Sequence, residues 1–225
     1  MREIELSCEL PVLPLRKIAF FPYNLMPFAG GRTESMAAIE AALASEEKTL
    51  AVVAQRQADV EHPQQADLYS VGTKALIKQM GRESEAVGVI LQGIERIELL
   101  EFEQKDSFLR AKCRSAPVKG ELGDEEEALK QEIIAAAEKY FSLAQAEPGT
   151  VNLRQLTAQI EDPMHLVYLL AMMLSLELEK SQNILEAQTP LEAMRLLHEN
   201  LLHEVQIMEL RKPVATHART EIGRE

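Results

Sequence analysis

Four prolines, Pro11, Pro14, Pro22 and Pro27, punctuate the apolar stretch from Leu10 to Arg32, which closes on the pair Gly30 and Gly31. Proline has no backbone N–H to give to a ladder, so it belongs at strand starts, edges and bulges, and it interrupts a long helix. The stretch therefore forms the seam of a small β-structure with apolar side chains near its rim. It holds no nucleophile beside a base and no cluster of metal-binding side chains, which directs the reading towards binding and away from chemistry.

The rest of the first half agrees with a β-structure. Its apolar runs are short and rich in β-branched or aromatic residues, at 49–54, 87–91, 94–100 and 108–113, and residues alternate from Gly72 to Met80. These pieces predict a compact, mostly antiparallel β-barrel. One helix interrupts it, capped by Thr33 and carrying Met36, Ile39 and Leu43 on its apolar face.

Composition changes at 116–123, where Pro117, Gly120 and Gly123 break every periodic pattern. A chain of 225 residues can bury two modest cores. The expected division is a β-domain at 1–117, a helical domain at 118–212 and a disordered tail at 213–225. Helix starts in the second half are written in local chemistry. Asp124 with Glu127 makes a capping-box pattern, Asn152 stands ahead of Gln155, and Asp162 and Thr189 each precede a proline. In the last helix Leu191, Met194, Leu197, Leu201, Val205 and Met208 recur every three or four residues. Leu196, Leu202, Ile207 and Leu210 widen that stripe beyond a single seam, enough for bundle packing and an outside contact together.

Charge and composition remove several functions. A formal net charge of −12 repels a phosphate backbone, and no basic run offsets it, so nucleic acid is not an expected partner. Cys8 and Cys113 lie too far apart for a C-x-x-C redox or zinc motif, which fits a reduced cytoplasmic interior. Glu3 and Glu5 interrupt the apolar run that export requires ahead of Cys8. The longest apolar run, 166–176, is shorter than the ~20 residues that span a bilayer, so no membrane contact is expected.

Catalytic signatures are near misses or missing. His198 and His203 resemble an H-E-x-x-H zinc site, but five residues of helix turn them roughly 140° apart. His165, between Met164 and Leu166, reads as a packed or surface histidine, and His62 sits in a loop without a partner. The sequence contains no phosphate loop, no G-x-G-x-x-G turn and no G-x-S-x-G elbow.

In order along the chain, Leu10 to Arg16, Phe21-Pro22, Met26-Pro27 and Gly31-Arg32, followed by the helix from Ser35 to Leu43, resemble the opening of the N-terminal domain of the Lon ATP-dependent proteases. Asp67 to Thr73 and Gln92 to Arg96 resemble its next signatures. The helix from Leu166 to Leu178, leading into Glu179 to Gln182 and Leu185-Glu186, is similar to its helical bundle. The resemblance covers residues 8 to 210. It implies an α+β protein, a PUA-like barrel joined to a helical bundle with a long C-terminal helix. In Lon proteases that module recognises unfolded or tagged substrates and supports oligomer assembly. The proteases continue into an ATPase and a serine–lysine peptidase, and this sequence stops before both, so neither activity is expected, and no catalytic residue, cofactor or metal.

The expected function is a non-enzymatic cytoplasmic binding module for unfolded or hydrophobic polypeptide segments. Its contact residues are expected at the rim: Pro22, Tyr23, Leu25, Met26 and Phe28. A full-length Lon protease and a second copy of the chain are further candidate partners. The alternatives are a regulator or adaptor of a full-length Lon protease, and a small-ligand or RNA site on the PUA-like domain.

Overall fold

A computed structural model of the chain describes residues 7–30, 32–83, 86–105, 107–120, 123–144, 153–157, 159–174 and 176–222. The strands are β1 (Ser7–Leu15), β2 (Leu25–Gly30), β3 (Thr49–Ala54), β4 (Val71–Glu83), β5 (Ala86–Lys105) and β6 (Phe108–Ser115). The helices are α1 (Thr33–Leu43), α2 (Asp124–Leu143), α3 (Leu153–Thr157), α4 (Pro163–Leu174), α5 (Leu178–Glu186) and α6 (Pro190–Ile222).

The expected barrel is corrected to a six-stranded sheet in the order β2-β5-β4-β3-β1-β6. Two features set it apart. The α1 crossover returns the chain parallel to β1, so β1 and β3 pair in parallel, Val12 opposite Ala51, while the other ladders are antiparallel. The two strands are also apolar on both faces. Leu13, Leu15, Leu50 and Val52 pack with Ile39 and Ala42 of α1. Leu10, Val12, Ala51 and Val53 pack on the opposite face with Leu99, Leu109 and Ala111. Strands that bury both faces need cover on each side, and α1 supplies it for the face carrying Leu13 and Leu50.

The runs 87–91 and 94–100, expected as two strands, are one. β5 pairs with β2 and β4 through its first part and with β6 from Ile97 onward. Gly93 falls in the gap between those two runs. In the structure it permits a close approach, because a Cβ there would lie 2.4 Å from the carbonyl oxygen of Phe21.

The helix starts follow the sequence with small shifts. Thr33 is the first helical residue of α1 and not its cap, the position of which falls to extended Arg32. In α2 the capping role moves one residue back: the N–H of Gly123 donates to Glu126 Oε2 at 2.9 Å, so the pair is Gly123 with Glu126 and not Asp124 with Glu127. Asp162 caps α4 as expected, its Oδ1 accepting from the N–H of Met164 at 2.9 Å, and Thr189 Oγ1 accepts from Glu192 N–H at 3.2 Å at the start of α6. Asn152 lies outside the described residues. The backbone of α6 is helical from Pro190 to Ile222, a span that includes most of the segment expected as a tail.

The helices close over their own apolar cluster, built from Ile133 and Ala137 of α2, Leu166 and Leu170 of α4, Ile184 and Leu185 of α5, and Met194, Leu197 and Leu201 of α6. The last three belong to the predicted stripe. Of the residues that widen it, Leu202 and Leu210 remain 48% and 74% exposed. Among the described residues no helix is long and apolar enough to cross a membrane.

Candidate functional site

The proline-punctuated stretch lies where sheet and helices meet, and consecutive phenylalanines go opposite ways. Phe20 joins the apolar cluster between sheet and α1, whereas Phe21 enters the helical cluster and stacks on Tyr168 of α4 with ring centroids 5.3 Å apart. Each is nearly free of solvent, at 2% and 1% exposure. Thr73 donates its hydroxyl to the Phe20 carbonyl at 2.5 Å. Two further hydrogen bonds fix the turn against β5: Tyr23 N–H to the Gly93 carbonyl at 3.0 Å, and Gly93 N–H to the Asn24 carbonyl at 2.9 Å.

Tyr23 adopts φ 66°, a left-handed conformation rarely taken by a bulky residue. Its surroundings hold it there. Its hydroxyl donates to Asp162 Oδ2 at 3.1 Å, and its ring lies 4.6 Å from that of His165. Burial, with Asp162 adding to it, raises the Tyr23 phenol above its ordinary pKa. His165, expected to be packed or on the surface, has a role in this aromatic contact that its sequence neighbours do not reveal.

Polar side chains tie the two halves together from both sides. Buried Asn24 donates through Nδ2 to the carbonyl of Tyr168 at 3.2 Å. Buried Arg96 of β5 reaches into the helices, donating to the carbonyls of Ala187 at 2.8 Å and Glu186 at 3.3 Å. From the helical side, Gln182 Nε2 donates to the Val71 carbonyl at 3.0 Å. A cavity of about 130 Å³ lies at this junction, lined in part by Pro22, Tyr23, Ile94, Arg96, Asp162 and Tyr168. The Tyr168 hydroxyl is buried there with no hydrogen-bond partner among the described residues, and burial lifts its pKa well above the ordinary phenol value. Removing that hydroxyl sacrifices no bond to another described residue. Tyr168→Phe is therefore expected to keep or raise stability, by up to about 1 kcal/mol in urea unfolding.

The five rim residues expected to make contacts separate by burial. Tyr23 and Leu25 stand 46% and 61% exposed, and Phe28 is half-buried against the sheet cluster. Pro22 is buried in the junction, and Met26, only 6% exposed, belongs to the sheet core. Strand alternation from Leu25 turns Met26 inward, whereas Pro22 precedes that strand and is buried by its place in the junction. Ile94, missed in the sequence, joins the accessible set at 41% exposure. It is the residue skipped by the β4 ladder, which pairs Ala75 with Gly93 and Lys74 with Glu95. Such a bulge re-aims a side chain, and periodicity carries no trace of it.

At the far end of β1 a second cavity, of about 290 Å³, is lined by residues that include Pro14, Arg32, Glu34, His62 and Phe108. Its polar groups satisfy one another. Arg32 donates to Gln55 Oε1 and to the carbonyls of Pro14 and Glu61, at 3.1–3.3 Å. His62, read from the sequence as unpartnered, meets Glu34 at 2.5 Å. The Glu34 carboxyl is held below its ordinary pKa, first by a backbone hydrogen bond at its own residue and then by His62. Among the described residues no group of three or more His, Cys, Asp or Glu side chains could hold a metal ion.

The chain is similar to known proteins in sequence and in fold. The family model of the ATP-dependent protease La (LON) substrate-binding domain matches residues 9–203. The Lon protease of Nitrosococcus oceani is 39% identical over 215 residues, which are 96% of this chain and 28% of that protein. That of Anaeromyxobacter dehalogenans is 30% identical over 222 residues, 98% of this chain and 26% of that protein. The chain thus spans 26–28% of the length of these relatives. Among solved structures, the N-terminal domain of a Mycobacterium avium complex Lon protease aligns with a TM-score of 0.70 at 22% identity, covering 86% of this chain and 98% of that one. A Lon N-terminal domain protein from Xanthomonas campestris aligns at 0.57 and 14%, covering 87% and 98%. These two likenesses concern the fold, whereas the family match runs from β1 into α6, and on it the chain belongs to the Lon protease substrate-binding domain family.

Proposed function

We propose that this chain is a non-catalytic module that binds unfolded polypeptide segments through the surface carrying Tyr23, Leu25 and Ile94. One observation carries the reading: three large apolar side chains stand exposed at a junction whose backbone is fixed on both sides. Exposed apolar clusters on an otherwise charged surface mark interaction sites. Each square ångström of apolar area covered contributes roughly 25 cal/mol before the costs of association, so a few side chains support weak, sequence-tolerant binding. A fixed backbone keeps the ordering cost on the client's side.

The test is a fluorescence-anisotropy titration with labelled, reduced and carboxymethylated α-lactalbumin, a permanently unfolded chain. Leu25→Asp combined with Ile94→Asp is expected to weaken binding about tenfold or more, because a carboxylate cannot be covered by an apolar client without a desolvation cost. Thermal unfolding should move little, since both positions are exposed. Unchanged affinity in the double variant overturns the assignment of this surface.

A second reading, association with a full-length Lon protease or with another copy of the chain, is favoured by the exposed Leu202 and Leu210 on α6. Sedimentation of the chain alone, and co-purification with the protease, distinguish these two partners.

A further inference from the structure

Cys8 and Cys113 lie far apart in the sequence, yet the fold sets them face to face. They are direct partners in the antiparallel ladder of β1 and β6, and both side chains belong to the same apolar cluster. Opposed residues on antiparallel strands have Cα atoms about 4.5 or 5.5 Å apart, according to the type of pair, and both values fall within the range of about 4.4–6.8 Å that a disulfide spans. Both cysteines are free thiols, Cys8 half-buried and Cys113 buried. Their environments differ in one more respect: Cys113 Sγ contacts the Ala111 carbonyl at 3.5 Å on its own strand, and its neighbours include Leu99 of β5 across the other ladder. The arrangement gives an entry thiol and a resolving thiol.

We infer that Cys8 and Cys113 form a reversible intramolecular disulfide, made by exchange with a low-molecular-weight disulfide such as oxidised glutathione. The Cys8 thiolate, the more accessible of the two, attacks one sulfur of glutathione disulfide. That S–S bond breaks, one glutathione leaves as thiolate, and a mixed disulfide remains on Cys8. Cys113 then gives its proton to the glutathione thiolate already released and attacks Cys8 Sγ, forming the protein disulfide and expelling the second glutathione as thiolate, which takes a proton from water. Two protein thiols are oxidised, and one glutathione disulfide is reduced to two thiols. The product staples β1 to β6, and so fixes the strand that leads into the seam.

The experiment incubates the purified, reduced chain with oxidised glutathione and reads intact mass after acid quenching. The expected product is lighter by two hydrogens, monomeric, resistant to iodoacetamide at both cysteines and restored by dithiothreitol. Peptide mapping should recover one cross-linked pair containing Cys8 and Cys113. Cys113→Ser, and independently Cys113→Ala, should instead stop at a stable glutathione adduct on Cys8, while Cys8→Ser should slow modification at least tenfold. A persistent glutathione adduct on the unsubstituted chain, a disulfide between two molecules, or no modification overturns the inference.

Discussion

Replacing Gly93 with alanine is expected to cost about 3 kcal/mol, lowering the midpoint of thermal unfolding by roughly 6–12 °C for a chain of this size. The added Cβ would lie 2.4 Å from the Phe21 carbonyl oxygen and 3.0 Å from the Pro22 Cα. Both are backbone atoms, so no side chain can swing away to make room. Moving that backbone would strain the pair of hydrogen bonds between Gly93 and the Tyr23–Asn24 turn. Gly81→Ala provides the comparison within the same sheet. No atom lies within 4 Å of the position its Cβ would occupy, and its effect should stay within about 0.5 kcal/mol. Scanning calorimetry of the two variants checks both the size and the site of the effect.

Phe21→Ala is expected to cost about 3–5 kcal/mol, the usual range for truncating a fully buried phenylalanine. Its location matters as much as its size. Phe21 departs from the β-half of the sequence yet packs in the helical cluster, against the Tyr168 ring. Phe20→Ala removes the same atoms from the cluster beneath α1. Hydrogen exchange should separate them. Phe21→Ala should lower protection first in α4 and at the 20–25 turn, whereas Phe20→Ala should lower it in β1, β3 and α1. Equal loss throughout for both variants would mean that the clusters open as one unit.

Local signals in the sequence were legible wherever the neighbours in space are also neighbours in the chain. Asp162 and Thr189 cap helices as their positions ahead of proline indicate, because a cap bonds within three residues of itself. The stripe of Met194, Leu197 and Leu201 is buried as its spacing indicates. Failures arose where distant segments decide. The runs 87–91 and 94–100 read as two strands, and nothing local shows that Gly93 continues one strand past the Phe21 backbone. The continuous apolar run of β3 fits a strand covered on both faces, but nothing local says that α1 forms one of the covers.

The candidate site was legible in outline only. The proline-punctuated stretch located the junction, and the exposure of Tyr23 and Leu25 agrees with a rim. Met26 and Pro22 share its composition but not its surface, since accessibility depends on which way each residue faces once β2 pairs with β5. Ile94 enters the site through a bulge, and the two cysteines meet away from it through a ladder register, and neither leaves a mark on local sequence.

The most direct measurement of polypeptide binding at the junction is a titration of the isotope-labelled chain with carboxymethylated α-lactalbumin, followed through backbone amide resonances. Shifts concentrated at Tyr23 to Leu25 and at Gln92 to Ile94 are the predicted result. No shifts at saturating client, or shifts confined to α6 with the junction unmoved, would contradict it.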